Sequence, residues 1–209
     1  MPIDYLTQIK DYNIRKEIPS IANTVLLVID MQYRFKEVAE PIIPNVTTLM
    51  KSCKSKGIQI IYTRHGYKDS AGEAGMMKKW WGNLTKYGTQ EWQIFEKLKP
   101  QTDASVIDKE TYNAFFRTDL SERLEASGVN SIIICGVMTN CCCETTAREA
   151  FVRDYDVFFV ADATQTINEE LHLASLRNLA YGFAYIVDTK SMCHMLSTSN
   201  INKKSDSIA

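Results

Sequence analysis

Along this chain, short unbroken apolar runs alternate with stretches whose apolar residues recur every three or four positions, and polar or glycine-bearing joints separate the two. Unbroken runs such as TVLLVID at 24–30 predict strands covered on both faces, as in a parallel sheet. Residues 44–56 predict an amphipathic helix with Val46, Leu49, Met50 and Cys53 on one face and Gly57 as its stop. Residues 58–63 then read as a second strand, 105–109 (SVIDK) as a short third, 131–135 as a fourth, 157–160 as a fifth and 183–187 as a sixth. Between them, 119–127 and 168–181 read as helices, the latter capped by Asn168 and followed by acidic residues in its first turn. Strand alternating with helix throughout predicts an α/β fold with right-handed crossovers, a three-layer α/β/α sandwich.

Three stretches depart from this rhythm. Residues 1–22 are polar and mixed in charge, and read as an arm or short helix laid on the domain or a neighbour. Residues 64–100 form a long excursion carrying GEAGMM, the pair Trp80 and Trp81, and a short helix near 91–98. Excursions of this length in a compact domain are usually lids or binding loops. Residues 191–209 read as a frayed, polar tail.

Composition narrows the function classes. At 209 residues and 45% hydrophobic, the chain fits one domain over 1–209 with an ample core. Its formal net charge of −1 supplies no basic field, so neither nucleic acid nor an anionic membrane is indicated as partner. The N-terminus does not read as a secretory signal, and no apolar run approaches the roughly 20 residues that span a bilayer, so an intracellular, cytoplasmic protein is expected. Six cysteines, three of them adjacent, make a poor disulfide framework and read as reduced thiols.

The chemistry concentrates in 134–150, ICGVMTNCCCETTAREA. A buried strand ends at Gly136, Thr139 or Asn140 can cap the next helix, and Cys143, Ala147, Ala150 and Phe151 fall on its core stripe. Cys142 then lies in the first turn, where unpaired N–H groups and the helix dipole favour thiolate over thiol. Cys53, Cys135 and Cys193 read as core, and Cys141 and Cys143 as packing. Asp30 stands at the carboxyl end of the first strand, where open parallel sheets bind ligands. Arg64 suits a substrate carboxylate through its bidentate geometry. Phe35, Trp81 and Tyr112 are candidate pocket walls, and His65 could contact substrate or simply be solvated.

Taken in chain order, the aspartate of VIDMQ, the lysine of DKETYNAF and the cysteine of GVMTNCCCETTAREA resemble the isochorismatase-like superfamily of cysteine hydrolases. The likeness runs from about residue 24 to 189, and with FVRDYDVFFVADA and NEELHLASLRNLAYGFAYIVD it looks most similar to the plant-type nicotinamidases. The resemblance implies a Rossmann-like six-stranded parallel sheet in the order 3-2-1-4-5-6 and a catalytic set of Asp30, Lys109 and Cys142. It also implies a cis peptide between Val137 and Met138, with the N–H groups of Met138 and Cys142 as an oxyanion hole. In that strand order the third strand lies two places from the first, so Lys109 must reach inward to meet Asp30.

The activity implied by this resemblance is that of an amidase acting on a small-molecule carboxamide through a cysteine thioester, with nicotinamide as first candidate. N-carbamoyl amide hydrolysis is an alternative, as is cleavage of an isochorismate-like vinyl ether by Asp30 without the thiol. A thiol sensor leaves Asp30 and Lys109 without a role, and a nucleotide-binding module lacks G-x-G-x-x-G after Asp30. His65, His172 and His194 are too scattered for the Asp-x-His spacing of metal-dependent nicotinamidases, so no metal and no other cofactor is expected. The resemblance further implies a homodimer or homotetramer.

Overall fold

The computed structural model describes residues 4–68, 75–100 and 104–199. Its centre is a six-stranded, wholly parallel sheet in the order β3-β2-β1-β4-β5-β6. The strands are β1 (Thr24–Ile29), β2 (Gln59–His65), β3 (Ser105–Lys109), β4 (Ser131–Val137), β5 (Asp156–Gln165) and β6 (Tyr185–Val187). Every residue of β1 and β4 is buried, as expected where helices cover both faces.

The short α1 (Tyr5–Gln8) opens the N-terminal arm, which is stitched to the domain. Ile9 is buried, and the Asn13 amide donates to the Ile186 carbonyl at 2.9 Å while its oxygen accepts the Ile186 N–H.

Alternation along the strands divides the core in two. Leu26 and Val28 face one layer and Val25, Leu27 and Ile29 the other. The first layer holds Ala39 of the short α2 (Lys36–Ala39). It is completed by α3 (Ile43–Ser55), whose Val46, Leu49, Met50 and Cys53 are all buried, and by α8 (Thr189–Thr198). On the opposite face lie α5 (Leu120–Ala126), α6 (Glu144–Val152) and α7 (Glu169–Gly182), while α4 (Gly75–Trp81) belongs to the excursion after β2. Asn168 caps α7 by accepting the Leu171 N–H at 2.9 Å. None of the described helices is long and apolar enough to cross a membrane.

Two expected features differ. Residues 191–198 are not a frayed tail but continue α8, because Met192 and Leu196 fall one helical turn apart and bury against α3 and β5. Asp188 caps that helix, accepting the Ser191 N–H at 2.6 Å. The expected helix over 91–98 is instead two separate 3-10 turns, Gln90–Trp92 and Glu96–Leu98. Of the excursion, residues 69–74 lie outside the described residues, as do 200–209 of the expected tail.

Candidate active site

β1 ends in a backbone that leaves the strand abruptly: Asp30 adopts φ 47°, a left-handed conformation that aspartate tolerates better than most residues. Its side chain turns inward and is fully buried. One carboxylate oxygen accepts the Thr63 hydroxyl at 2.6 Å, and the other the Lys109 ammonium at 2.7 Å. The Thr63 oxygen accepts the Asp30 N–H in return, at 3.1 Å.

Lys109 does reach inward. From the edge strand β3 its side chain passes behind β2 to the end of β1, where Nζ also donates to the Thr111 carbonyl at 3.0 Å. Burial is the largest single influence and would lower its pKa, but the Asp30 carboxylate and the Cys142 sulfur together outweigh it and hold the lysine above its ordinary value.

Opposite this pair, β4 closes on β1 so tightly that only glycine fits at 136. A Cβ there would lie 2.0 Å from the Ile29 carbonyl oxygen, and Gly136 has φ 117°. The next peptide, Val137–Met138, is cis. Among the described residues nothing accepts the Met138 N–H.

The turn after it is not a capped α-helix. Thr139–Cys143 forms a single π-helical turn that leads into α6. Neither expected cap acts as one: the Thr139 hydroxyl is bonded to Nδ1 of His172 at 2.8 Å, and the Asn140 side-chain oxygen accepts from Thr166 at 2.6 Å. Both are drawn into contacts with the α7 side of the turn. Cys143, Ala147 and Ala150 are buried as expected, whereas Phe151 is 48% exposed and packs edge-on against Phe183. All the cysteines are free thiols.

The π turn brings the Cys142 sulfur beside Asp30 and Lys109, close enough to interact with both charges. Its thiol pKa is raised well above the ordinary value. Burial is the main cause; Lys109 opposes it and the Asp30 carboxylate adds to it. The expected lowering at a helix start is therefore outweighed, since desolvation penalises a thiolate sealed beside a carboxylate more than the turn's dipole can favour it. At rest the group is a thiol.

Cys142 opens onto a cavity of about 500 Å³, with Met138 beside it and Phe35, Trp81 and Tyr112 among its walls. The Trp81 indole N–H donates to the Tyr112 hydroxyl at 2.6 Å, which joins α4 to the segment after β3. Trp80, by contrast, is 73% exposed.

Arg64 does not line this cavity. Neighbouring residues of a strand point to opposite faces, so with Thr63 and His65 turned toward the site, Arg64 is turned away. It forms a bidentate pair with Asp108 at 2.7 and 3.0 Å and lies over the Trp92 ring.

Two residues of the site, Thr63 and Gln32, have no counterpart in the sequence reading, which leaves His65 open between a substrate contact and a solvated ring. Thr63 holds Asp30. Gln32, fully buried, clamps the end of β2: its oxygen accepts the His65 N–H at 2.7 Å, and its amide donates to the carbonyls of His65 and Trp92 at 3.0 and 2.8 Å. His65 itself is 6% exposed and borders the cavity. The signal available in sequence was a polar residue at a position that the apolar pattern assigns to the interior, as Thr63 is within IIYTRH. Among the described residues, no group of three or more His, Cys, Asp or Glu side chains is placed to hold a metal ion.

A family model described as the isochorismatase domain matches residues 24–191. The chain is 46% identical over 182 residues to Nicotinamidase 3 of Arabidopsis thaliana, covering 86% of this chain and 91% of that protein. It is 32% identical to Enterobactin synthase component B of Escherichia coli (strain K12), covering 80% of this chain and 61% of that longer protein. Among solved structures, a cysteine hydrolase from Pseudomonas syringae pv. phaseolicola 1448A superposes with a TM-score of 0.84 at 26% identity, over 88% of this chain and 97% of that one. N-carbamoylsarcosine amidase from Thermoplasma acidophilum shares the fold, with a TM-score of 0.70 at 21% identity over 80% and 96% of the two chains.

Proposed function

The chain belongs to the isochorismatase domain family of hydrolases, and from that premise we propose that it cleaves the C–N bond of a small carboxamide through a thioester on Cys142, with nicotinamide as first candidate. The observation that carries this reading is the thiol itself. It is sealed against a buried carboxylate–ammonium pair and opens onto an aromatic-walled cavity, a setting that vinyl ether cleavage by the carboxylate alone does not need.

In this mechanism Asp30 takes the Cys142 proton as the sulfur attacks the carboxamide carbon. Lys109 holds the carboxylate in place through its 2.7 Å contact and balances its charge within the site. The oxyanion forms against the N–H groups of Met138 and Cys142, donors whose individual loss costs about 3 kcal/mol of barrier. Asp30 then gives its proton to the departing nitrogen, and the C–N bond breaks to release ammonia. A water deprotonated by the same carboxylate attacks the thioester, and the acid and the free thiol result. Phe35, Trp81 and Tyr112 would hold a flat substrate by apolar contact. The same reading takes the enzyme as cytoplasmic and as a homodimer or homotetramer, for which exposed Trp80 and Tyr181 offer apolar surface; sedimentation of the purified chain tests the assembly.

The test is ammonia release from a panel of small amides, nicotinamide first, by the unsubstituted protein and Cys142→Ala in parallel with EDTA present. Release that disappears only in the variant is expected. No release from any amide, with isochorismate turned over even by Cys142→Ala, would replace amide hydrolysis with vinyl ether hydrolysis.

A further inference from the structure

We infer that His65 is a substrate-binding residue whose Nε2 accepts an N–H of the carboxamide and so orients the nitrogen that leaves as ammonia. The inference rests on the amidase reading and deepens it.

His65 is held in place with unusual care for a residue outside the proposed catalytic set. Both its backbone N–H and its carbonyl are bonded to the buried Gln32 side chain, and the ring packs edge-on against Tyr67. The ring is 6% exposed and borders the cavity that Cys142 and Met138 share. The Glu110 backbone carbonyl lies beside the ring, while Nε2 is buried with no hydrogen-bond partner. A buried polar atom without a partner is costly; Trp92 Nε1 and His172 Nε2 share that condition, but of the three residues only His65 borders the cavity, where a ligand can complete the bonding.

Its location assigns the ligand atom. Across the sheet, β4 carries the Met138 end, β1 carries Asp30, and β2 carries His65 next in line. Along β2, His65 stands two residues beyond Thr63 on the same face, about 7 Å further toward the mouth than the hydroxyl that holds Asp30. It is also level with Lys109 in the neighbouring strand. A carbonyl whose oxygen points to the β4 side must direct its nitrogen back over Asp30 toward β2. Burial first, and then the nearby Lys109 charge, push the imidazole down to about 4, so the ring is neutral at neutral pH. A neutral ring keeps one N–H and one lone pair; the Glu110 carbonyl beside it favours the N–H on its own side, and the lone pair left at the other nitrogen fits a substrate N–H and repels another acceptor.

The experiment compares His65→Phe and His65→Gln with the unsubstituted enzyme on two ligands of one ring. Nicotinamide has the N–H; pyridine-3-carbaldehyde lacks it, and binds as the Cys142 sulfur adds to its carbonyl carbon while the thiol proton passes to the carbonyl oxygen. The expected result is that His65→Phe lowers kcat on nicotinamide by roughly 30- to 100-fold with little change in KM. His65→Gln, which keeps an acceptor, should recover part of the loss. The aldehyde inhibition constant should move less than about 3-fold in both variants. A parallel loss of aldehyde affinity, or an unchanged kcat in His65→Phe, would overturn the assignment. No amide turnover by the unsubstituted enzyme would instead sink the amidase reading and this inference with it.

Discussion

The Thr63 hydroxyl and the Asp30 carboxylate form a closed pair in which each serves the other: Thr63 donates to the carboxylate at 2.6 Å and accepts the Asp30 N–H at 3.1 Å. Lys109 takes only the remaining oxygen, so the rotation of the carboxylate is set from β2 as much as by the lysine. Thr63→Val keeps the shape and removes the donor. It is expected to lower kcat by about 10- to 100-fold, the scale of one hydrogen bond to a charged group. Thr63→Ser should stay within a few-fold of the parent. Steady-state kinetics on the best amide checks both.

Lys109→Met leaves the Asp30 charge buried without its partner. Breaking such a pair from one side costs about 3–5 kcal/mol, so a loss of that order is expected in urea unfolding. Activity should fall by roughly 100- to 10,000-fold, because the proposed general base then loses the contact that positions it and balances its charge. A variant as stable and active as the parent would mean that the ion pair is incidental.

Gly136→Ala drives a methyl group into the Ile29 carbonyl at a backbone angle that alanine avoids. The β1–β4 junction must spread at the point where Asp30 and Cys142 meet. A destabilisation above about 3 kcal/mol is expected, with activity lost in whatever folds. Thermal unfolding with parallel activity assays reads it.

Acid should loosen the fold. His65 and His172 are both pushed down to about 4, chiefly by burial, from an ordinary value of 6.5. Between those values the unfolded chain binds the protons that the folded chain refuses. Their contribution to stability is therefore complete above pH 6.5 and is lost as pH falls through 4, on the order of 3 kcal/mol for each. Urea midpoints measured from pH 7 to 4 should decline across that window, and less steeply in His172→Phe.

Much of the scaffold is legible in the sequence because burial imposes periodicity. The four apolar positions of α3 repeat at helical spacing, and all four are buried. What escapes is governed by contacts distant in sequence. The π turn at Thr139–Cys143 results from bonds to His172 and Thr166, and nothing local distinguishes it from a capped helix. The Cys142 thiol is raised chiefly because the surrounding core buries it, with the Asp30 carboxylate from another strand adding to this, whereas a local reading sees only the helix end. Arg64 is the instructive miss, since strand alternation within the sequence already sets it opposite Thr63 and His65. Helix α8 was hidden by its hydroxyl-rich composition, although Met192 and Leu196 are correctly spaced.

The ammonium that balances the buried charge is delivered by β3, one of the two edge strands of the sheet, which has a neighbour on only one side. Peripheral strands open at lower free energy than central ones. Heating should therefore detach β3 while β1, β4 and β5 are still intact, so that inactivation precedes the main calorimetric transition. The heat tolerance of turnover is then a property of the short strand at the rim, and a graft that tightens this border would raise it without touching the core.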